Sequence, residues 1–337
     1  MKERIEYIDV AKGILTMCLL YGHSYIYGNI VGVDEEAMHL LGKTFKIYGC
    51  FFMQAFFLIT DFCSSFDQSF GQNLRKWLKT ILIPGMLLSF LGNALWNIFF
   101  GGGKWCLIIR DFINLDNWFI TGGEWFIVAL FWAKIFMWFI LKTSQKVQII
   151  IVISAYLLGI LLHTFNCFPE YLKHQHTLVL IPYLYLGILA KGHMETIEKY
   201  IKPIGGIITI LVENILANKG IWCIPSQDAS IELTFINFPI QFFNVLGGTA
   251  FVLWLSKKMI GCTFFKTFGM GSLLVYLWNG QVLMLYAMLL HIGFQPHDRY
   301  AGFLFYMVVI IFSYISFYFL IPIVYRNKYI KWIVGKY

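Results

Sequence analysis

The sequence predicts an all-α integral membrane protein with about ten transmembrane helices surrounding a cavity or passage. Three observations carry that expectation. Of 337 residues, 59% are hydrophobic and 13% charged, with mean hydropathy +0.69, whereas soluble domains are about 25% charged. Apolar residues recur along the whole chain in runs of about 20, the length a helix needs to cross a bilayer, separated by short polar breaks. The first run also carries Asp9, Lys12 and His23, and ionisable groups inside a span face a protein interior or a water-filled path.

In order, the spans fall near 8–27, 44–64, 79–100, 123–141, 147–165, 176–192, 203–218, 234–255, 270–291 and 302–325. They form one multi-pass domain over 1–337 with no sizeable soluble module. The even count puts both termini on one side. Of the 26 basic residues, eighteen fall on the side of the termini, seven on the other, and Lys134 lies within a span. The positive-inside rule therefore makes both termini cytoplasmic. The first run is expected to stay as a span: Asp9 and Lys12 interrupt it and no small-residue cleavage site follows. The net charge of +8 is spread over span ends, which fits membrane topology and gives no reason to expect nucleic acid as a partner.

Chemistry concentrates in the first span. In a helix, Lys12 and His23, eleven residues apart, stand about 20° apart around the axis and about 16 Å apart along it. Asp9, three residues before Lys12, is placed to neutralise it. Taken singly, His23 reads more readily as a buried histidine hydrogen-bonded between helices, although an ionisable group inside an apolar span is a functional candidate.

Farther on, Arg75 and Lys79 share a helical face beside Lys76. An Arg would grip an anionic phosphate bidentately and a Lys as a point charge, or all three anchor the helix end at the membrane surface. Glu124 lies at a depth comparable with His23, either orienting the imidazole or simply solvated, and Trp118 and Trp125 also suit an aromatic belt. Asp61 sits at an interface, and Glu213 within the seventh run calls for a partner or a hydrated cavity. His163, His174 and His176, with Glu170 nearby, have no helical pair spacing, so no metal is expected. The seven cysteines include no C-x-x-C pair, and Cys18, Cys50 and Cys63 read as packing residues. There is no G-x-S-x-G elbow, phosphate-binding P-loop or H-E-x-x-H motif.

Arg4, Tyr7-x-Asp9, Lys12–Gly13 and a His eleven positions after Lys12 together resemble the opening signature of the membrane acyltransferase type 3 family, in its fucose 4-O-acetylase-like branch. The family more often has Arg where Lys12 stands. Other stretches are similar to its patterns: the aromatic run 51–62, with Thr60 and Asp61 in place of Ser and Gly; Arg75 to Lys79 before Pro84; Trp125–Phe126–Ile127; Pro182 to Gly187; and Gly269-x-x-Ser272-Leu273-x-x-Tyr276. The last is commonly closed by a His where this chain has Asn279. An amide hydrogen-bonds but takes up no proton at neutral pH, so a positional role survives there and a proton-transfer role does not.

The resemblance implies a bacterial cell-membrane enzyme that moves an acyl group, usually acetyl, from cytoplasmic acetyl-CoA or another acyl-CoA to a hydroxyl of a glycan or related acceptor. In that reading Lys12, Arg75, Lys76 and Lys79 hold the donor phosphates, and His23 is the base, with Glu124 beside it. Arg4, Asp9, Trp125, Tyr276 and Asn279 support them. The acyl group passes directly or through an acyl-imidazole. A transporter lined by Asp9, Lys12, His23 and Glu213 is the rival class, and a non-catalytic member of the fold a third. The sequence does not tell a single chain from a homodimer.

Overall fold

The computed structural model describes residues 5–27, 35–49, 51–62, 64–99, 125–165, 174–193, 202–218, 231–296 and 298–335, with 196, 197 and 199. All regular structure among them is helical. In chain order the helices are α1 (Glu6–Tyr27), α2 (Glu35–Gly49), α3 (Phe52–Phe62), α4 (Phe70–Trp77), a π-helical stretch (Leu78–Leu82) leading into α5 (Ile83–Phe99), α6 (Trp125–Ile140), α7 (Gln145–Phe165), α8 (His174–Gly192), α9 (Pro203–Asn218), α10 (Ile231–Lys258), α11 (Thr263–Met270), α12 (Ser272–Gly293) and α13 (Arg299–Arg326), before a 3-10 turn (Lys331–Val334).

Among the described residues, four helices are long and apolar enough to cross a membrane: stretches Gln145–Leu162, Pro239–Lys258, Ser272–Gly293 and Arg299–Arg326. Trp125–Ile140 and Thr177–Gly192 are apolar but shorter. Large apolar side chains point outward from these helices, including Ile150 and Leu157 on α7 and Leu304 and Phe319 on α13. Such a surface suits lipid, where helices satisfy their backbone polar groups internally. The chain is a membrane protein.

One expected span is divided. The run 44–64 forms α2 and α3 rather than one helix. Gly49 ends α2, Phe51 N–H closes a turn on the Tyr48 carbonyl at 3.2 Å, and Phe51 turns inward to 5% exposure. Glycine leaves a helix at little cost, and burying a Phe is worth about 1.5–3 kcal/mol, so local packing outweighs continuity. At 11 residues, α3 is about 16 Å long and falls short of a bilayer core of about 30 Å. The third run starts earlier than expected: Ser69 caps α4, and the helical path continues through the π-helical stretch into α5.

The chain forms two compact units, one of Met1–Met53, Lys202–Gly220 and Asn244–Ile330, the other of Gln54–Ile201, Ile221–Phe243 and Lys331–Tyr337. In the first, α1 packs chiefly on α11 and α12 and also meets α2 and α13. Two glycines bring α1 and α11 backbone to backbone. A Cβ on Gly13 would lie 1.9 Å from the Phe265 carbonyl oxygen, and one on Gly269 1.8 Å from that of Asp9. Tyr314 of α13 donates its hydroxyl to the Met17 carbonyl at 2.8 Å, and Asp298 caps α13 by accepting from Tyr300 and Ala301 N–H at 2.8 and 2.9 Å.

In the second unit, α6 and α8 pack together, as do α7 and α8. Phe57 of α3 meets Phe126 of α6 edge to face at 4.6 Å. Gly187 lets α8 approach the Leu58 carbonyl, which a Cβ would meet at 2.2 Å. Gln148 ties the turn between α6 and α7, donating to the Thr143 carbonyl at 2.9 Å while accepting from the Tyr185 hydroxyl at 3.1 Å.

Candidate functional site

The continuous helix α1 carries both Lys12 and His23, so their eleven-residue spacing keeps the register read from the sequence. His23 is half-buried in the last turns of α1, and its Nδ1 lies 2.5 Å from Oδ1 of Asn279 on α12. Asn279 is 3% exposed. Its Nδ2 donates to the Tyr276 carbonyl, one turn back on α12, also at 2.5 Å. Tyr276 is buried at 8% exposure; its carbonyl anchors the amide that meets the imidazole. The structure thus brings together three residues from the two ends of the sequence.

The glycine motif acquires a physical reason here. Gly269 ends its side of α11 against the Asp9 carbonyl, Gly271 breaks the helix, and Ser272 starts α12. Asn279 then stands two turns into α12, within reach of His23. A bulkier residue at 269 would push α11 away from α1, and with it the start of α12.

Lys12 is half-buried, with its carbonyl accepting from the Thr16 hydroxyl at 2.7 Å. Asp9 is half-buried one turn before it. At the same end of α1, Glu6 pairs with Lys266 at 2.6 Å, and the Lys257 ammonium stands 5.2 Å from the centre of the Tyr7 ring. Three lysines from three segments therefore gather near the N-terminal end of the helix that holds His23.

In the second unit, Arg75, Lys76 and Lys79 are exposed, whereas Asn73 and Trp77 of the same path face inward. Ring packing between Trp77 and Phe66, 5.7 Å between centroids, fixes which side is outward. Trp125 opens α6 half-buried, with its ring edge to face with Phe126 at 6.0 Å. Arg4 and Glu124 lie outside the described residues, as do the side chains of Asp61, His163, His174, His176 and Glu213.

Sequence reasoning passed over one polar knot. Lys134, in the middle of the apolar α6, is 3% exposed and donates to the Ser64 hydroxyl at 2.7 Å. Lys191 donates to the Ser64 carbonyl at 2.6 Å. Beside it, a pocket of about 310 Å³ is bordered by Ser65, Asp67, Lys142 and Lys191. The signal was a lone lysine in an otherwise apolar run, which by itself marks a site in a membrane helix. Cys18 borders an open apolar groove of about 420 Å³ with Met17, Tyr21, Tyr48 and Tyr314; Met17, Cys18 and Tyr21 lie on the flank of α1 away from His23.

Fold and site together define a class: a membrane protein, helical throughout its described regular structure, whose helix α1 presents a histidine bonded to a carboxamide. The family model Acyl_transf_3, an acyltransferase domain, matches residues 5–333, and the chain belongs to that acyltransferase 3 family. No curated protein and no solved structure matches it.

Proposed function

We propose that this protein is a membrane O-acyltransferase that moves an acetyl or other short acyl group from acyl-CoA to a hydroxyl of an extracytoplasmic glycan or related acceptor, as in the fucose 4-O-acetylase-like branch. Membership of the acyltransferase 3 family supports the activity. The observation that carries the residue assignment is the contact between His23 Nδ1 and Asn279 Oδ1: it holds the imidazole in one orientation, as a general base requires.

In this reading both termini are cytoplasmic, Lys12 is the donor-phosphate residue of the first unit, Arg75, Lys76 and Lys79 are those of the second, and Arg4 keeps a supporting role. His23 removes the proton from the acceptor hydroxyl. The oxygen attacks the thioester carbonyl, the ester C–O bond forms and the C–S bond breaks. The departing thiolate takes the proton from the imidazolium, which restores His23 and leaves free thiol. Transfer through an acyl-imidazole on His23 gives the same products in two steps. Glu124 is assigned a catalytic role with His23 and Trp125 a supporting one, and the proposal invokes no metal.

The test is purified protein in detergent with acetyl-CoA and a glycan acceptor, followed by free-thiol release. Acceptor-dependent thiol in the wild type and none above background in His23→Ala, with both eluting as the same monodisperse species, is the expected result. Full turnover by His23→Ala removes His23 from the chemistry. Acceptor uptake into vesicles without thiol release indicates a transporter instead.

A further inference from the structure

We infer that Asn279 is a positioning residue that sets the tautomer of His23: the neutral imidazole carries its hydrogen on Nδ1, and Nε2 is the atom that receives the acceptor's proton. This rests on the reading of His23 as the base and names the atom that does the work.

The argument starts from a group that has no choice. The Tyr276 carbonyl only accepts hydrogen bonds. At 2.5 Å from it, the amide atom of Asn279 must be the nitrogen, since an oxygen there would set two acceptors against each other. The nitrogen and oxygen of a side-chain amide look alike in shape, and only such a neighbour distinguishes them. With Nδ2 directed at Tyr276, Oδ1 is the atom facing His23 Nδ1, and an amide oxygen also only accepts. His23 Nδ1 must therefore donate. In a neutral imidazole one nitrogen is the donor and the other the acceptor, so the lone pair lies on Nε2.

Reversing the amide would need two penalties at once in a residue 3% exposed. Oδ1 would oppose a carbonyl, and the NH₂ would lose its acceptor at Tyr276. A buried polar group left unsatisfied costs about 1–3 kcal/mol, enough to hold one orientation. The identity of residue 279 as an amide matters for the same reason. The donor and acceptor nitrogens of a histidine exchange roles with its tautomer, whereas in a carboxamide the nitrogen always donates and the oxygen always accepts.

Two readouts test this. In protein labelled with ¹⁵N-histidine, which has 8 histidines, the His23 resonances are those missing from His23→Gln. The expected wild-type pattern at neutral charge is a protonated Nδ1 and an unprotonated Nε2; the reverse pattern overturns the inference. Asn279→Asp keeps an acceptor at Nδ1 but sets its second carboxyl oxygen against the Tyr276 carbonyl, a clash relieved by turning or protonating the carboxyl; the neutral imidazole is expected to keep that pattern, whereas Asn279→Leu loses it. In the thiol-release assay, Asn279→Leu is expected to lower kcat about 10²-fold, the scale of a misplaced catalytic group, with the donor KM unchanged, and Asn279→Asp to recover part of the loss. Wild-type kcat in Asn279→Leu, alongside inactive His23→Ala, overturns the positioning role and leaves His23 as the base. An active His23→Ala defeats the parent reading instead, while the ¹⁵N pattern still decides the tautomer. Should Asn279→Leu fail to elute as a monodisperse species, the wild-type and Asn279→Asp spectra decide alone.

Discussion

Replacing Gly269 with alanine tests the backbone contact on which the site is built. The new Cβ would stand 1.8 Å from the Asp9 carbonyl oxygen, where under 3.0 Å is essentially never found. The obstacle is helix backbone in α1, so neither partner escapes by changing a rotamer. The two helices must separate locally by about 1 Å, and overpacking of this kind costs about 1–3 kcal/mol. Alanine regains at most about 1 kcal/mol through its better helix propensity, so the net change is a loss. Gly71→Ala is the control: an exposed helical glycine with nothing within 4 Å of the added atom, expected to be neutral or slightly stabilising. Thermal unfolding in detergent, followed by intrinsic fluorescence and monodisperse elution, compares the two, and thiol release reports on the site. Gly269→Ala is expected to melt at a lower temperature and to lose activity, because α12, which carries Asn279, starts just beyond it. A Gly269→Ala protein as stable and active as Gly71→Ala would refute the packing argument.

Three further outcomes are expected. Arg75→Ala and Lys79→Ala change exposed side chains, so stability moves by no more than about 0.5 kcal/mol, while the donor KM rises in the thiol-release assay and the effect weakens with salt; an unchanged KM makes these residues membrane anchors. Lys134→Ala removes a buried ammonium and its bond to Ser64, at about 2–4 kcal/mol from the lost charged hydrogen bond and the cavity, whereas Lys134→Met restores most of the volume and none of the donated bond; equal melting temperatures for wild type and Lys134→Ala would dismiss the knot as a stabilising element. Glu6→Gln breaks the Lys266 pair, whose side chains are 59% and 27% exposed. Surface pairs contribute about 0–1 kcal/mol, so unfolding is expected to be indistinguishable from wild type, and a clear drop would show the pair to be structural.

Much of the helical layout was legible in the sequence. The last two runs, expected near 270–291 and 302–325, are Ser272–Gly293 and Arg299–Arg326. Lys12 and His23 keep their register because α1 is unbroken between them. The division of the run 44–64 was not legible, since a hydropathy window counts Gly49 and Phe51 as two more membrane-compatible residues. Nor does hydropathy register that one leaves a helix cheaply and the other gains by turning inward. The knot at Ser64 escaped for a related reason: Lys134 stood out as a charge, but its partner was a serine seventy positions earlier in a connecting segment.

The sequence by itself determined that this chain is helical, belongs in a membrane and carries a basic residue and a histidine in register on its first helix. Period and apolarity are local properties, set by each residue and its near neighbours. Only the tertiary structure decided that Asn279 meets His23 across 256 positions, and that Gly13 and Gly269 are where α1 and α11 touch. An apolar helix face fits many neighbours equally well, so which one it meets depends on shape and on the few polar groups that must find each other once water is gone.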